Sequence, residues 1–163
     1  MMRRDQSGLT LVEIMVVMVI IAALAAVAFP FLDNVLQVMT SKGASEQVAG
    51  AIRLARQHAI TRGNNHCIEF SASPSTQYQI RVAPDTTNCT GAVVDGLAWQ
   101  TVGNGAAVTN PAPAPTLIFD PLGNRQLPPA GSGNTVFDVD TQPASCLSII
   151  TVTLYGGVRV SKC

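Results

Sequence analysis

The chain has 163 residues, ten Lys+Arg, ten Asp+Glu and a formal net charge of zero. Only 12% of residues are charged, about half the proportion of an ordinary soluble domain, while the 47% hydrophobic content is ordinary. That length allows one modest domain, and that balance excludes a strongly basic phosphate-binding protein and a highly charged disordered chain.

Much of the missing charge is at the start. The 19 residues from Ile14 to Leu32 carry no charged or polar side chain. At about 1.5 Å per residue, a helix of this length approaches the roughly 30 Å hydrocarbon core of a bilayer. Arg3 and Arg4 precede it and favour a cytoplasmic N-terminus, which sends everything after the run outward. A plain membrane anchor fits these facts. A cleaved secretory signal is the other ordinary reading, because Ala26-Val27-Ala28 has the A-x-A form, but the apolar run exceeds the usual length for one. Neither reading explains Glu13. A carboxylate at the edge of an apolar membrane helix is costly, and by default it marks a function with a partner to be named.

The residues around Glu13 read Ser7-Gly8-Leu9-Thr10-Leu11-Val12-Glu13, followed by the apolar run and Pro30. This pattern resembles the type III signal of type IV pilins and type II secretion pseudopilins. The resemblance implies a leader of residues 1–8, cut between Gly8 and Leu9 by a membrane prepilin peptidase, with N-methylation of the new Leu9 amine. The usual first residue is Phe, so Leu9 is a mild departure. It also implies an assembly role for Glu13, whose carboxylate neutralises the Leu9 amine of a neighbouring subunit. Each charge alone would be costly beside apolar surface, so the pair sets a docking register. Pro30 removes one helical hydrogen bond and is expected to bend the helix.

Beyond Leu32 the helical period continues in a more polar setting. Val48, Ile52, Ala55 and Ala59, with Ala44 and Ala51 beside them, form a narrow small-residue stripe suited to lying on a sheet. Glu46, Gln47, Arg53, Arg56 and Gln57 take the other side. Gly63 in Arg62-Gly63-Asn64-Asn65 is a stop signal, so one helix is expected from about Leu9 to about Arg62. Arg53, Arg56, His58 and Arg62 read as a solvated helix face rather than as a DNA contact.

Past Gly63 the chain turns to short β-type segments. These are His66–Ala72, Thr76–Ala83, Leu97–Val102, Thr116–Asp120, Thr135–Val139, Cys146–Tyr155 and Val158–Ser161, each bounded by turn-forming residues. Gly156-Gly157 reads as a two-residue hairpin turn. The stretch from Pro84 to Pro115 is Gly/Ala/Thr/Pro-rich, and Asn110–Pro115 reads as an extended connector. A helix ending in Ala55–Gly63, a following strand, the Ile118-Phe119-Asp120-Pro121-Leu122-Gly123 element and a closing Val158-Arg159-Val160 strand resemble the GspH/FimT family of minor pseudopilins and minor type IV pilins. The resemblance implies an α+β, type IV pilin-like fold. Its domains are a leader (1–8), a transmembrane and filament-core helix (9–32) and a periplasmic domain (33–163). In the last, an amphipathic helix to about residue 63 packs on an antiparallel β-sheet.

The topology puts Cys67, Cys89, Cys146 and Cys163 outside the cytoplasm, where disulfides persist. No zinc or haem spacing is present. Of the three pairings that four cysteines allow, Cys67–Cys89 and Cys146–Cys163 each close a local loop. A two-residue Gly156-Gly157 turn would place Cys163 nearer Ile150, so the second pairing requires the tail to bend. Asp120, Asp138 and Asp140 lack EF-hand spacing, and the sequon Asn88-Cys89-Thr90 is discounted. No nucleotide loop, metalloprotease motif or nucleophile elbow is present, and no catalytic residue, metal or cofactor is expected.

The reading is therefore of a structural subunit that helps initiate or cap a type II secretion pseudopilus or a type IV pilus. It is a peptidase substrate rather than an enzyme. Its expected place is the bacterial inner membrane, crossed once, with the C-terminal domain in the periplasm and later in the filament. Its expected partners are the prepilin peptidase, other pilins or pseudopilins, the inner-membrane assembly platform, and DNA or secreted cargo. The alternative is a FimT-like minor pilin that captures DNA. Relatives of that kind carry a C-terminal Gly-Arg-x-Arg, whereas this chain reads Gly157-Val158-Arg159-Val160, leaving Arg159 and Lys162 as the contacts. Removing residues 1–8 turns the net balance slightly negative, which further weakens bulk attraction to phosphate.

Overall fold

A computed structural model of the chain describes residues 10–72, 74–94, 96–109, 116–126, 134–140 and 148–162. Gly8, Leu9, Cys146, Cys163 and the 110–115 connector lie outside the described residues. One helix, α1 (Leu11–Arg62), spans 52 residues and is continuous through Pro30. The chain divides into two compact units, Met1–Gln37 and Val38–Cys163.

The described part of the first unit is helical and apolar. Leu11–Phe29 has a mean hydropathy of 2.9, with its large side chains exposed from Leu11 through Val27 and Phe29. By length and composition this helix is able to cross a membrane.

In the second unit α1 meets two antiparallel sheets. The first has the order β3 (Gln100–Thr101), β2 (Gln77–Val82), β1 (His66–Phe70), β5 (Thr116–Phe119), β6 (Arg125–Gln126). The second has the order β4 (Ala107–Thr109), β7 (Thr135–Asp140), β8 (Ser148–Val152), β9 (Val158–Ser161). The antiparallel β-structure expected as one sheet is thus divided between two.

The predicted stripe is the buried face of α1. Ala44, Val48, Ala51, Ile52, Ala55 and Ala59 are all buried, and Glu46, Gln47, Arg53 and Gln57 are exposed. Small side chains let the sheets approach the helix closely. The inner face of the first sheet is set by register: Ile68 lies between Ile80 and Leu117, and Phe70 lies opposite Tyr78. The second sheet contributes Val139 opposite Val108 and Ile150 between Phe137 and Val160. Phe70 and Phe137 join the sheets, with ring centroids 5.3 Å apart. These residues form one core with the α1 stripe.

The far face of the first sheet carries a smaller cluster of Cys67, Ala83, Cys89 and Ile118. Its centre is a disulfide between Cys67 and Cys89, 22 residues apart. This is the first of the two expected pairings.

Three local expectations need correction. The β8–β9 connection is not a two-residue turn. Val152 pairs with Val158, the Thr153 N–H donates to the Gly157 carbonyl at 2.8 Å, and the Gly156 N–H donates to the Thr153 carbonyl at 3.0 Å. The loop is therefore Leu154-Tyr155-Gly156, with only Gly156 of the glycine pair at positive φ. This is the three-residue hairpin in which a left-handed residue follows a turn. The strand expected over Cys146–Tyr155 accordingly ends at Val152. Within the stretch read as a loop lies β4, and β6 returns beside β5 immediately after the Asp120–Asn124 turn.

Candidate assembly site at the helix N-terminus

The site is built from the first turn of α1. Thr10 stands at the N-cap, where its Oγ1 accepts the Glu13 backbone N–H at 3.2 Å. The Thr10 carbonyl accepts the same N–H at 3.1 Å and that of Ile14 at 3.3 Å. Thr10-Leu11-Val12-Glu13 has the T-x-x-E spacing of a capping box, a helix-start signal readable beside the leader motif. The side chain of Thr10 supplies a partner for a backbone donor that the helix leaves without one.

Glu13 lies in this first turn with its side chain exposed. The helix N-terminus carries a partial positive charge, which favours a carboxylate there by about 0.3–1 kcal/mol. Glu13 is the third residue of the 19-residue apolar span Leu11–Phe29. Pro30 falls in the interior of α1, near the end of this span.

The cationic residues of the second half of α1 do more than face solvent. Arg56 Nε donates to the Gly123 carbonyl at 2.9 Å, fastening the β5–β6 turn to the helix. Arg53 reaches the Val158 carbonyl at 3.5 Å and Glu46 at 3.9 Å. Gln47 spans Thr101 and Gly103, donating to the first carbonyl at 3.0 Å and accepting the second N–H at 2.9 Å. Apart from the Arg53–Glu46 pair, these contacts join residues more than 50 positions apart, so no local pattern announces them. The solvated-face reading fits Arg53, which is exposed, and is corrected for Arg56, which is half-buried against the β5–β6 turn.

The remaining candidates are dispersed. Arg159 and Lys162 are exposed on and just after β9. The Asp120 carboxylate is taken up by the N–H groups of Leu122 and Asn124 and by the amides of Asn124 and Gln126. Asp85 likewise accepts from Asn88 and Thr87, which holds its carboxyl well below the usual range. Among the described residues there is no group of three or more His, Cys, Asp or Glu placed to hold a metal ion.

Comparison with known proteins identifies this arrangement. The prokaryotic N-terminal methylation motif matches residues 3–29, and the family described as type II transport protein GspH matches residues 44–153. No curated protein sequence matches the chain. Among solved structures, the type IV minor pilin FimU of Pseudomonas aeruginosa is similar at a TM-score of 0.57 and 14% identity, covering 74% of this chain and 91% of that one. The minor pseudopilin EpsH from the type 2 secretion system of Vibrio cholerae is similar at a TM-score of 0.53 and 13% identity, covering 75% and 96%. The pilin-like fold is thus shared with both, and the DNA-capture alternative is not favoured. With its methylation motif, its apolar leading helix and two-thirds of its length under one family model, the chain belongs to the GspH family and is a minor pilin or pseudopilin subunit.

Proposed function

We propose that the chain is made as a precursor, cut between Gly8 and Leu9 by a prepilin peptidase and N-methylated at Leu9. Residues 1–8 are the leader, 9–32 the membrane and filament-core segment, and 33–163 the periplasmic domain. Arg3 and Arg4 hold the leader on the cytoplasmic side, so the sheet domain faces the periplasm. On assembly the Glu13 carboxylate takes the Leu9 amine of a neighbouring subunit, and the pair sets the axial register. Pro30 supplies a place where the helix bends or locally loosens as it leaves the bilayer. The subunit then helps initiate or cap a pseudopilus or pilus on an inner-membrane assembly platform.

The observation that carries this reading is Glu13 in a Thr10-capped first turn, heading an apolar span of 19 residues. No isolated membrane anchor requires a carboxylate there. The test is the N-terminus of the mature protein recovered from membranes. The expected product begins at Leu9 and carries one added methyl on its amine. A product beginning at Phe29, or one retaining Met1, overturns the reading.

A further inference from the structure

Among the described residues of the second unit, the two most exposed large apolar side chains are Leu122 and Tyr155, each 79% exposed. Their positions in sequence are far apart, yet their turns are pressed together. The Arg125 N–H donates to the Leu154 carbonyl at 2.8 Å. A Cβ on Gly156 would overlap the Gly123 carbonyl oxygen and the Arg56 guanidinium. A Cβ on Gly123 would come within 2.7 Å of Ile60 Cδ1. Both glycines have positive φ, so the close approach of the two turns requires glycine at both places. The two loop tips and Ile60, itself 48% exposed, thus surround one junction fastened by Arg56 and by the Arg125–Leu154 hydrogen bond.

The border of this patch is cationic. Arg53, Arg56 and Ile60 follow i, i+3, i+7 spacing and share one face of α1. Arg56 forms no ion pair among the described residues. Arg53 has only Glu46 at 3.9 Å, with both side chains about half exposed, a contact worth little. The one carboxylate of the adjoining turn, Asp120, is consumed by its own loop. An apolar patch with uncompensated cations is complementary to an apolar surface flanked by carboxylates. Its fixed shape suits a shaped protein partner, whereas a lipid surface needs no such preorganisation.

We propose that the Leu122–Tyr155–Ile60 patch docks the globular domain of an adjacent filament subunit, through apolar side chains on that domain flanked by Asp or Glu. This rests on the filament-subunit reading. It adds a contact between globular domains to the one made by the helix N-terminus.

The test is photo-crosslinking in membranes that assemble the filament, with the full chain carrying a photoreactive residue at position 122, 155 or 17. Position 17 lies in the apolar span and reports incorporation itself. The expected result is adducts from 122 and 155 to another subunit bearing the N-terminal methylation motif. These adducts should fall at least fivefold with Arg53→Glu and persist with Arg53→Lys. The Leu122→Asp/Tyr155→Asp double variant should fold, as both sites are exposed, and enter filaments at least fivefold less well. Adducts from 17 without adducts from 122 and 155, or adducts from those two only to lipid or secreted protein, overturn the docking surface alone. Loss of adducts at all three positions overturns the filament reading and the docking surface with it. Unchanged adduct yield with Arg53→Glu overturns the acidic character assigned to the partner.

Discussion

The Thr10 hydroxyl accepts the Glu13 backbone N–H at 3.2 Å, so the residue that starts the helix also fixes the turn in which Glu13, the proposed assembly carboxylate, sits. Losing an N-cap oxygen costs about 1 kcal/mol, or roughly fivefold in the population of a formed first turn. Thr10→Ala is therefore expected to reduce filament incorporation several-fold, and Thr10→Ser to restore it. Glu13→Ala should still be cleaved and methylated but fail to assemble. Immunoblots of membrane and sheared-filament fractions separate the two steps. Normal incorporation of Glu13→Ala would remove the charge pair from the account.

The Cys67–Cys89 bond closes a loop of 22 residues across the small outer cluster. In the chain-entropy description this contributes about 3 kcal/mol. The Cys67→Ala/Cys89→Ala variant should lose roughly 10 °C in Tm, measured by circular dichroism on the full chain in detergent. The second expected pair, Cys146–Cys163, lies outside the described residues and rests on the closure of a local loop. Peptide mapping without reductant should recover Cys146 linked to Cys163, and a free thiol at either position would count against that pairing.

What was legible in the sequence was local or periodic. The α1 stripe repeats every 3.6 residues, and all six of its members are buried. The leader motif is contiguous, and Val158–Ser161 forms a strand with the predicted bounds. What was not legible depends on distant partners. Ala107–Thr109 is three residues long and becomes a strand only by pairing with Asp138–Asp140. Arg125–Gln126 does so only beside Ile118 and Phe119. The Gly156-Gly157 pair misleads because two glycines permit a two-residue turn without requiring it. The Arg56–Gly123 contact joins residues 67 positions apart, so neither position signals it alone.

Glycines of opposite consequence sit on either side of that contact. Gly43 and Gly50 lie on the exposed side of α1, with nothing within 4 Å of an added Cβ. Alanine there should raise stability by up to about 1 kcal/mol each. Gly156 has φ of 74°, and its Cβ would overlap the Gly123 backbone oxygen as well as the Arg56 guanidinium. Gly156→Ala should therefore lose about 2 kcal/mol or more, from the left-handed conformation and the overlap together. Urea titrations of the three single variants check both signs, and a Gly156→Ala variant as stable as the parent would show that the two turns are not pressed together.

His58 gives the fold a dependence on mild acid. Its ring stacks on that of His66, with centroids 5.7 Å apart and planes at 21°. The Asn64 carbonyl 2.9 Å from His66 Nδ1 only accepts, so that nitrogen carries the proton. Burial, then Arg62, then His66 push the His58 pKa below 6.5. Protonation is thus favoured more in the unfolded chain than in the folded one. The stability that neutral His58 contributes is complete above about pH 6.5 and falls away as pH drops through the lowered folded value. Urea midpoints measured between pH 7 and pH 5 should decline for the parent chain. The decline should be shallower for His58→Gln, which keeps a polar side chain but cannot titrate. Parallel declines for the two proteins would assign the acid sensitivity to other groups.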